Sequence, residues 1–340
     1  MSRRWIGTIA LWAILPAMTT AADEGPIAGV VLGIHGGIGM KKKDMTADMA
    51  AVLRADLERS LRAGHALLAK DGGTALDAVE AAVRVLEDSP EFNAGKGAIF
   101  TRAGRNELDA SIMEGRSKRA GAVGFVTTIK NPISAARAVM EQSKHVLLVG
   151  PGAEQFAASH GQEIVEPAYF RTERRWQQHQ KELRAEAAKA GGAISRPRAE
   201  AQPWSTVGAV AVDGAGNLAA ATSTGGTSNK LFGRLGDSPI IGAGTYADNE
   251  SCAVSGTGHG EYFIRLAVAY DIGALMKYKG LGVAQAAAEV VQRKLKPAGG
   301  DGGVIALDAR GNFAAAYNTE GMYRGWITRD GQVIVRLYED

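Results

Sequence analysis

Only one cysteine, Cys252, occurs in 340 residues, so no internal disulfide staples the fold and its stability does not depend on an oxidising compartment. Charge of one sign is equally scarce. Lys and Arg number 39 against 36 Asp and Glu, a formal excess of +3, and no basic stripe interleaved with aromatics is present, which leaves no case for a nucleic-acid partner. The one basic run, Lys41-Lys42-Lys43, stands beside a loop and reads as a solvated face. Runs of membrane-spanning length are missing too: Trp5 to Met18 is too short for a comfortable span and carries Pro16 near its end. No period of repeat length appears, which argues against solenoids and propellers. The glycines of Gly36-Gly37-Ile38-Gly39 match neither G-x-x-x-x-G-K-[ST] nor G-x-G-x-x-G, so nucleotide binding is set aside.

What is present begins with an address. Arg3-Arg4, the apolar stretch to Met18 and the small residues Thr19-Thr20-Ala21-Ala22 follow the three-part pattern of a secretory signal peptide over 1–22, and a periplasmic or secreted location is expected, with no membrane attachment after its removal. The remaining length suits one large domain or two modest ones with a sizeable core. Glycine is abundant, 44 residues, favouring tight turns and close backbone approaches.

Along the chain, Gly29 to His35 reads as a buried strand closed by a glycine turn at Gly36–Gly39. Met49 to Lys70 has helical spacing, with Gly72-Gly73 closing it, and Thr74 with Asp77 starts a second helix. Leu86 to Ala98 reads as a loop, and Ile99 to Thr101 as a strand. Glu107 to Met113 and Ala120 to Val126 form paired strands, followed by a helix over Pro132–Glu141 and a strand over His145–Val149. Between about 170 and 205 the composition turns to Arg, Lys, Glu, Gln and Ala. Glu173 to Ala190 has helix propensity with little apolar periodicity, and the segment as a whole reads as a linker. Thr206 to Val212, a Gly214–Asn217 turn and Leu218 to Thr224 make a hairpin. Further on come Ala253–Ser255 as a strand, the glycine loop Gly256–Glu261, helices over Tyr262–Lys277 and Val283–Lys294, and a last strand pair, Val304–Leu307 and Phe313–Tyr317.

Chemistry concentrates where the linker meets the first of those strands. A threonine hydroxyl is a weak nucleophile until a base takes its proton. Were the Ser205–Thr206 bond cut, Thr206 would carry a free α-amine with a reference pKa of about 7.7–8.0, supplying nucleophile and base together. A hydrolase of small aspartate amides also needs oxyanion donors, which Thr257 and Gly258 are suited to provide. It needs opposite charges for an amino-acid head: Arg234 for an α-carboxylate, Asp237 for an α-ammonium. The alternative for the last two is a loop salt bridge to each other.

Four stretches make the pattern specific: Thr206-Val207-Gly208-Ala209-Val210-Ala211-Val212-Asp213, Ala221-Thr222-Ser223-Thr224-Gly225-Gly226, Asn229-Lys230-Leu231-Phe232-Gly233-Arg234-Leu235-Gly236-Asp237-Ser238-Pro239 and Gly256-Thr257-Gly258-His259-Gly260-Glu261. With His35-Gly36-Gly37, Phe92-Asn93-Ala94-Gly95 and Glu107-Leu108-Asp109-Ala110 upstream, the chain resembles the plant-type asparaginase and isoaspartyl peptidase family of N-terminal-nucleophile hydrolases over nearly all its length after the leader. The resemblance implies an α/β fold, a four-layer αββα sandwich. It also implies self-cleavage into an α chain (23–205, linker at about 170–205) and a β chain (206–340), and an (αβ)2 heterotetramer.

By the same resemblance Thr206 is the nucleophile, Thr224 the threonine beside it, Thr257 and Gly258 the oxyanion donors, and Arg234, Asp237 and Gly260 substrate contacts. The small-molecule substrates implied are isoaspartyl dipeptides and L-asparagine. No cofactor is required; a structural sodium ion is implied, held by the carbonyls of Leu86, Glu87, Ser89, Phe92, Ala94 and Lys96. Ser205 departs from the glycine that relatives commonly have there, and its Cβ restricts the strained backbone that self-attack needs. Two other readings stand beside this one, a glycosylasparaginase and an exported binding module that keeps the fold but never matures.

Overall fold

The computed structural model describes residues 25–190 and 206–338. In chain order its elements are β1 (Val30–Ile38), α1 (Ala47–Leu68), α2 (Ala75–Glu87), β2 (Leu108–Glu114), β3 (Ala120–Val126), α3 (Pro132–Gln142), β4 (Leu147–Val149), α4 (Gly150–Ser159) and α5 (Glu173–Ala190). There follow β5 (Val207–Val212), β6 (Leu218–Thr224), β7 (Thr245–Ala247), β8 (Cys252–Gly258), α6 (Gly260–Leu266), α7 (Val268–Lys279), α8 (Val283–Val290), β9 (Gly302–Asp308), β10 (Phe313–Tyr317), β11 (Met322–Thr328) and β12 (Val333–Arg336). Local chemistry accounts for the starts of α1 and α2. Thr46 and Thr74 sit in extended backbone and accept the N–H of Met49 and Asp77, satisfying donors that an uncapped first turn leaves orphaned.

Two sheets face one another. The larger runs β12-β11-β1-β5-β6-β2-β3-β4 and the smaller β10-β9-β8-β7. α1, α2 and α3 pack on the outside of the large sheet, α7 and α8 on the outside of the small one, so the layers are helix, sheet, sheet, helix. Both faces of the central strands are therefore covered. β5 is buried at every position, and it reads as an unbroken run of small apolar residues, not as an alternation. Between the sheets lie Val210, Val212, Ile305, Leu307, Phe313 and Trp326. No described helix is long and apolar enough to cross a membrane.

The structure corrects several boundaries. β1 continues through Gly36 and Gly37 to Ile38, with an irregularity in its pairing to β11 between His35 and Gly37, where a turn was expected. Ile99–Thr101 is not a strand. β8 reaches Gly258, so Thr257 and Gly258 end a strand, paired with Gly303 and Gly302, instead of standing in a loop. The helix expected over Tyr262–Lys277 breaks at Ala267, which takes a left-handed φ of 47°; the next widens into a π-turn over Val291–Leu295. β11 and β12 lie beyond the expected last strand pair. β11 eluded the alternation rule because Arg324 falls inside it, buried, with Nη1 donating to the Met322 carbonyl at 3.1 Å.

Within the expected linker, Glu173–Ala190 is a docked helix. Arg175 is buried, its Nε donating to Gly97 O at 2.8 Å, and His179 Nδ1 lies 2.8 Å from Asn229 Oδ1. The expected leader and the linker from residue 191 onward, Ser205 included, lie outside the described residues.

Candidate active site

β5 and β6 are adjacent in the middle of the large sheet, with Val207 opposite Ser223 and Gly208 opposite Thr222. This register sets Thr206, immediately before β5, beside Thr224 at the end of β6. Their hydroxyls are 3.0 Å apart and both residues are buried. Side chains alternate along a strand: Ser223 Oγ turns outward and donates to Glu87 Oε1 at 2.6 Å, while Thr222 turns inward to meet Ser255 of β8 at 2.7 Å.

His35 of β1 secures the backbone of Thr206. Its Nδ1 is 3.0 Å from Thr206 O and its Nε2 is 2.9 Å from Ser255 Oγ. A ring that donates Nδ1–H to a carbonyl must accept at Nε2, so the Ser255 hydroxyl donates to it. Burial pushes the imidazole down to about 3, keeping it neutral at physiological pH. The contact requires Gly208, because a Cβ there would stand 2.5 Å from His35 Nε2 and overlap Ser255 Oγ.

The loop from Gly225 to Asp237 brings the charged groups. Its Gly226 N–H donates to Thr224 Oγ1 at 3.0 Å, tying the loop to the hydroxyl pair. Arg234 donates from Nε and Nη2 to the two oxygens of Glu261, at 2.9 and 3.1 Å. Its other edge faces glycine backbone: a Cβ would stand 2.7 Å from Nη1 at Gly236 and 2.7 Å from Nη2 at Gly260. A Cβ on Gly260 would also stand 2.8 Å from Asp237 Oδ1. Arg234 therefore pairs with Glu261, not with Asp237, while Gly260 opens a space bordered by both. Asp237 is buried, and its Oδ2 has no hydrogen-bond partner among the described residues. Burial pushes its carboxyl up to about 7, with Arg234 opposing the rise. A buried carboxylate oxygen left unpaired is costly unless a cation arrives to meet it.

Thr257 is wholly buried in β8, and His259 N donates to Asp301 O at 2.9 Å just before α6 begins at Gly260. Sequence reasoning assigned no role to Glu261. Its only signal was its place after Gly260, because the partner lies 27 residues away. The turn after α2 folds inward on two glycines. Cβ atoms at Gly95 and Gly97 would collide with the Glu87 and Phe92 carbonyls respectively. Of the other carbonyls expected there, those of Leu86 and Ala94 accept N–H from Ser89 and Gly97. Among the described residues no cluster of three or more His, Cys, Asp or Glu side chains is placed to hold a metal.

Two facing sheets between helical layers are the αββα architecture of the N-terminal-nucleophile hydrolases. The asparaginase family model matches residues 28–335, and the chain belongs to that family. It is 51% identical over 297 residues to an isoaspartyl peptidase of Escherichia coli (strain K12), covering 87% of this chain and 92% of the relative. An isoaspartyl peptidase/L-asparaginase of Mus musculus is 42% identical over 296 residues, 86% of each chain. A plant-type L-asparaginase of Pyrococcus abyssi is 42% identical over 297 residues, 86% of this chain and 94% of the relative.

Proposed function

We propose that this chain is a self-processed threonine hydrolase that cleaves isoaspartyl dipeptides and hydrolyses L-asparagine to aspartate and ammonia. The observation that carries the reading is the buried Thr206–Thr224 hydroxyl pair, joined through Gly226 to the loop bearing Arg234 and Asp237. In maturation the Thr206 hydroxyl attacks the Ser205 carbonyl carbon. The C–O bond forms, the C–N bond breaks and the nitrogen takes the proton, which frees the α-amine; water then opens the ester, restoring the hydroxyl and leaving Ser205 with the new carboxylate. In turnover that amine takes the Thr206 Oγ1 proton as the oxygen attacks the side-chain carbonyl of the substrate. Thr257 and the Gly258 N–H hold the oxyanion, and Thr224 orients the nucleophile. The proton passes to the departing ammonia or amino acid, and water releases aspartate from the ester. Arg234 takes the α-carboxylate on the edge that Glu261 leaves open, Asp237 takes the α-ammonium, and Gly260 leaves room for both.

The wider reading includes export by the leader, an (αβ)2 assembly, and a structural sodium ion at the carbonyl turn of Leu86 to Lys96. The carbonyl oxygens of Glu87 and Phe92, closely approached by Gly95 and Gly97, are donors of the kind a hard cation takes without need of a particular side chain. The test is intact mass and aspartate release from leaderless protein. Expected are two chains divided before Thr206 and turnover of asparagine and a β-aspartyl dipeptide, with Thr206→Ala remaining one inactive chain. A Thr206→Ala protein cut at the same bond would assign the cleavage to an outside protease.

A further inference from the structure

The motif Glu107-Leu108-Asp109-Ala110 and the lysine that follows Asn229 have no part in the chemistry above, yet the fold joins them. Lys230 is 6% exposed. Its ammonium donates to Glu107 O at 3.1 Å and lies 3.6 Å from Asp109 Oδ2 and 3.9 Å from Glu107 Oε2. Asp109 is wholly buried. Its Oδ1 accepts the Phe125 N–H at 2.9 Å, and the Lys230 ammonium is the cation facing its Oδ2. Each charge would be expensive to bury without the other.

Both ends of this pair touch the site. Asp109 is the direct cross-strand neighbour of Thr224. Gly226, which donates to Thr224, lies against both cations: a Cβ there would stand 3.1 Å from Lys230 Nζ, a tight approach, and 3.5 Å from Arg234 Nη1, an ordinary contact. The stretch between Lys230 and Arg234 has no apolar anchor, since Leu231 is 43% exposed and Phe232 fully so. Asn229 and Phe232 also take left-handed φ values of 55° and 56°, a conformation that Asn adopts readily but that a phenylalanine holds only where its surroundings enforce it.

We propose that Lys230 is a positioning residue for substrate recognition: seated on Asp109 and the Glu107 carbonyl, its ammonium fixes the Gly225–Asp237 loop so that Arg234 and Asp237 grip the α-carboxylate and α-ammonium of an aspartyl substrate. The inference rests on the amidase reading above. It is tested by the ratio of kcat/KM for asparagine to that for succinamate, which is asparagine without its α-amine. Lys230→Met alone leaves Asp109 facing no cation and lowers Tm. Adding Asp109→Asn removes both charges and restores most of it, as expected when a buried pair is replaced whole. In that double variant the ratio falls about tenfold or more, with KM for asparagine rising more than kcat falls. Should it remain a single chain, Lys230→Gln, which keeps a donor for Glu107 O, is read by the same ratio. A matured variant with the parental ratio overturns the proposal, as does a double variant no more stable than Lys230→Met. A parent that turns over neither asparagine nor β-aspartyl dipeptides refutes the amidase reading instead.

Discussion

Gly260→Ala is a sharp probe of substrate recognition, because the added methyl has a defined place. It would stand 2.7 Å from Arg234 Nη2, 2.8 Å from Asp237 Oδ1 and 3.1 Å from Asp237 N. Gly260 has no left-handed φ and begins α6, so the backbone tolerates alanine. The neighbours differ in what they can yield. Arg234 Nη2 ends a long side chain and swings aside, breaking its two-pronged seat on Glu261, whereas Asp237 is short, buried and fixed near its own backbone. The fold therefore loses little, about 1–3 kcal/mol for a crowded methyl. Recognition loses the geometry of two charge-assisted contacts of about 1.5–3 kcal/mol each. The sum, roughly 3–6 kcal/mol, is a fall of about 10²–10⁴ in kcat/KM for asparagine. Gly152→Ala is the control, since nothing lies within 4 Å of a Cβ there. The assay is steady-state aspartate release, with intact mass confirming maturation and a melting curve for each variant. A matured Gly260→Ala enzyme with kcat/KM within about threefold of the parent would refute the placement of the substrate head between Arg234 and Asp237.

Two further outcomes concern pH. The rate reading requires two groups of the free enzyme to be deprotonated, the Thr206 α-amine and Asp237, whose carboxyl burial pushes up to about 7; log kcat/KM should climb with a slope approaching two below about pH 6.5 and level off above about 8. His259→Ala on matured protein should keep that limb, and its disappearance would transfer the base role to His259. For stability, His35 is depressed from 6.5 to about 3. Its contribution is complete above about pH 6.5 and is lost as pH falls toward 3, by roughly 4–5 kcal/mol at full protonation. Melting curves from pH 7 to 4 should therefore fall more steeply for the parent than for His35→Gln; parallel curves would contradict a neutral buried His35.

Local physics is legible in the order of the residues themselves. Thr74 with Asp77 marks a helix start because a cap is settled within one turn, and the Thr74 hydroxyl does accept Asp77 N–H at 3.1 Å. β6 keeps its expected bounds, and the hairpin is legible because a short turn joins neighbouring strands. The spelling around Thr206, Thr224, Arg234, Asp237 and Gly260 names the candidate residues and the family. Only the tertiary structure decided which of them meet and through what. His35 reaches Thr206 across 171 positions, Lys230 reaches Glu107 across 123, and Arg234 takes Glu261 as its partner across 27. α5 offered little apolar periodicity because it docks through buried Arg175 and His179, where no hydrophobic stripe is needed. Caps, turns and periodicities are written in neighbouring residues, whereas a buried charge pair or a hydroxyl contact between sheets depends on strand register and layer packing, which bring together side chains that share no local pattern.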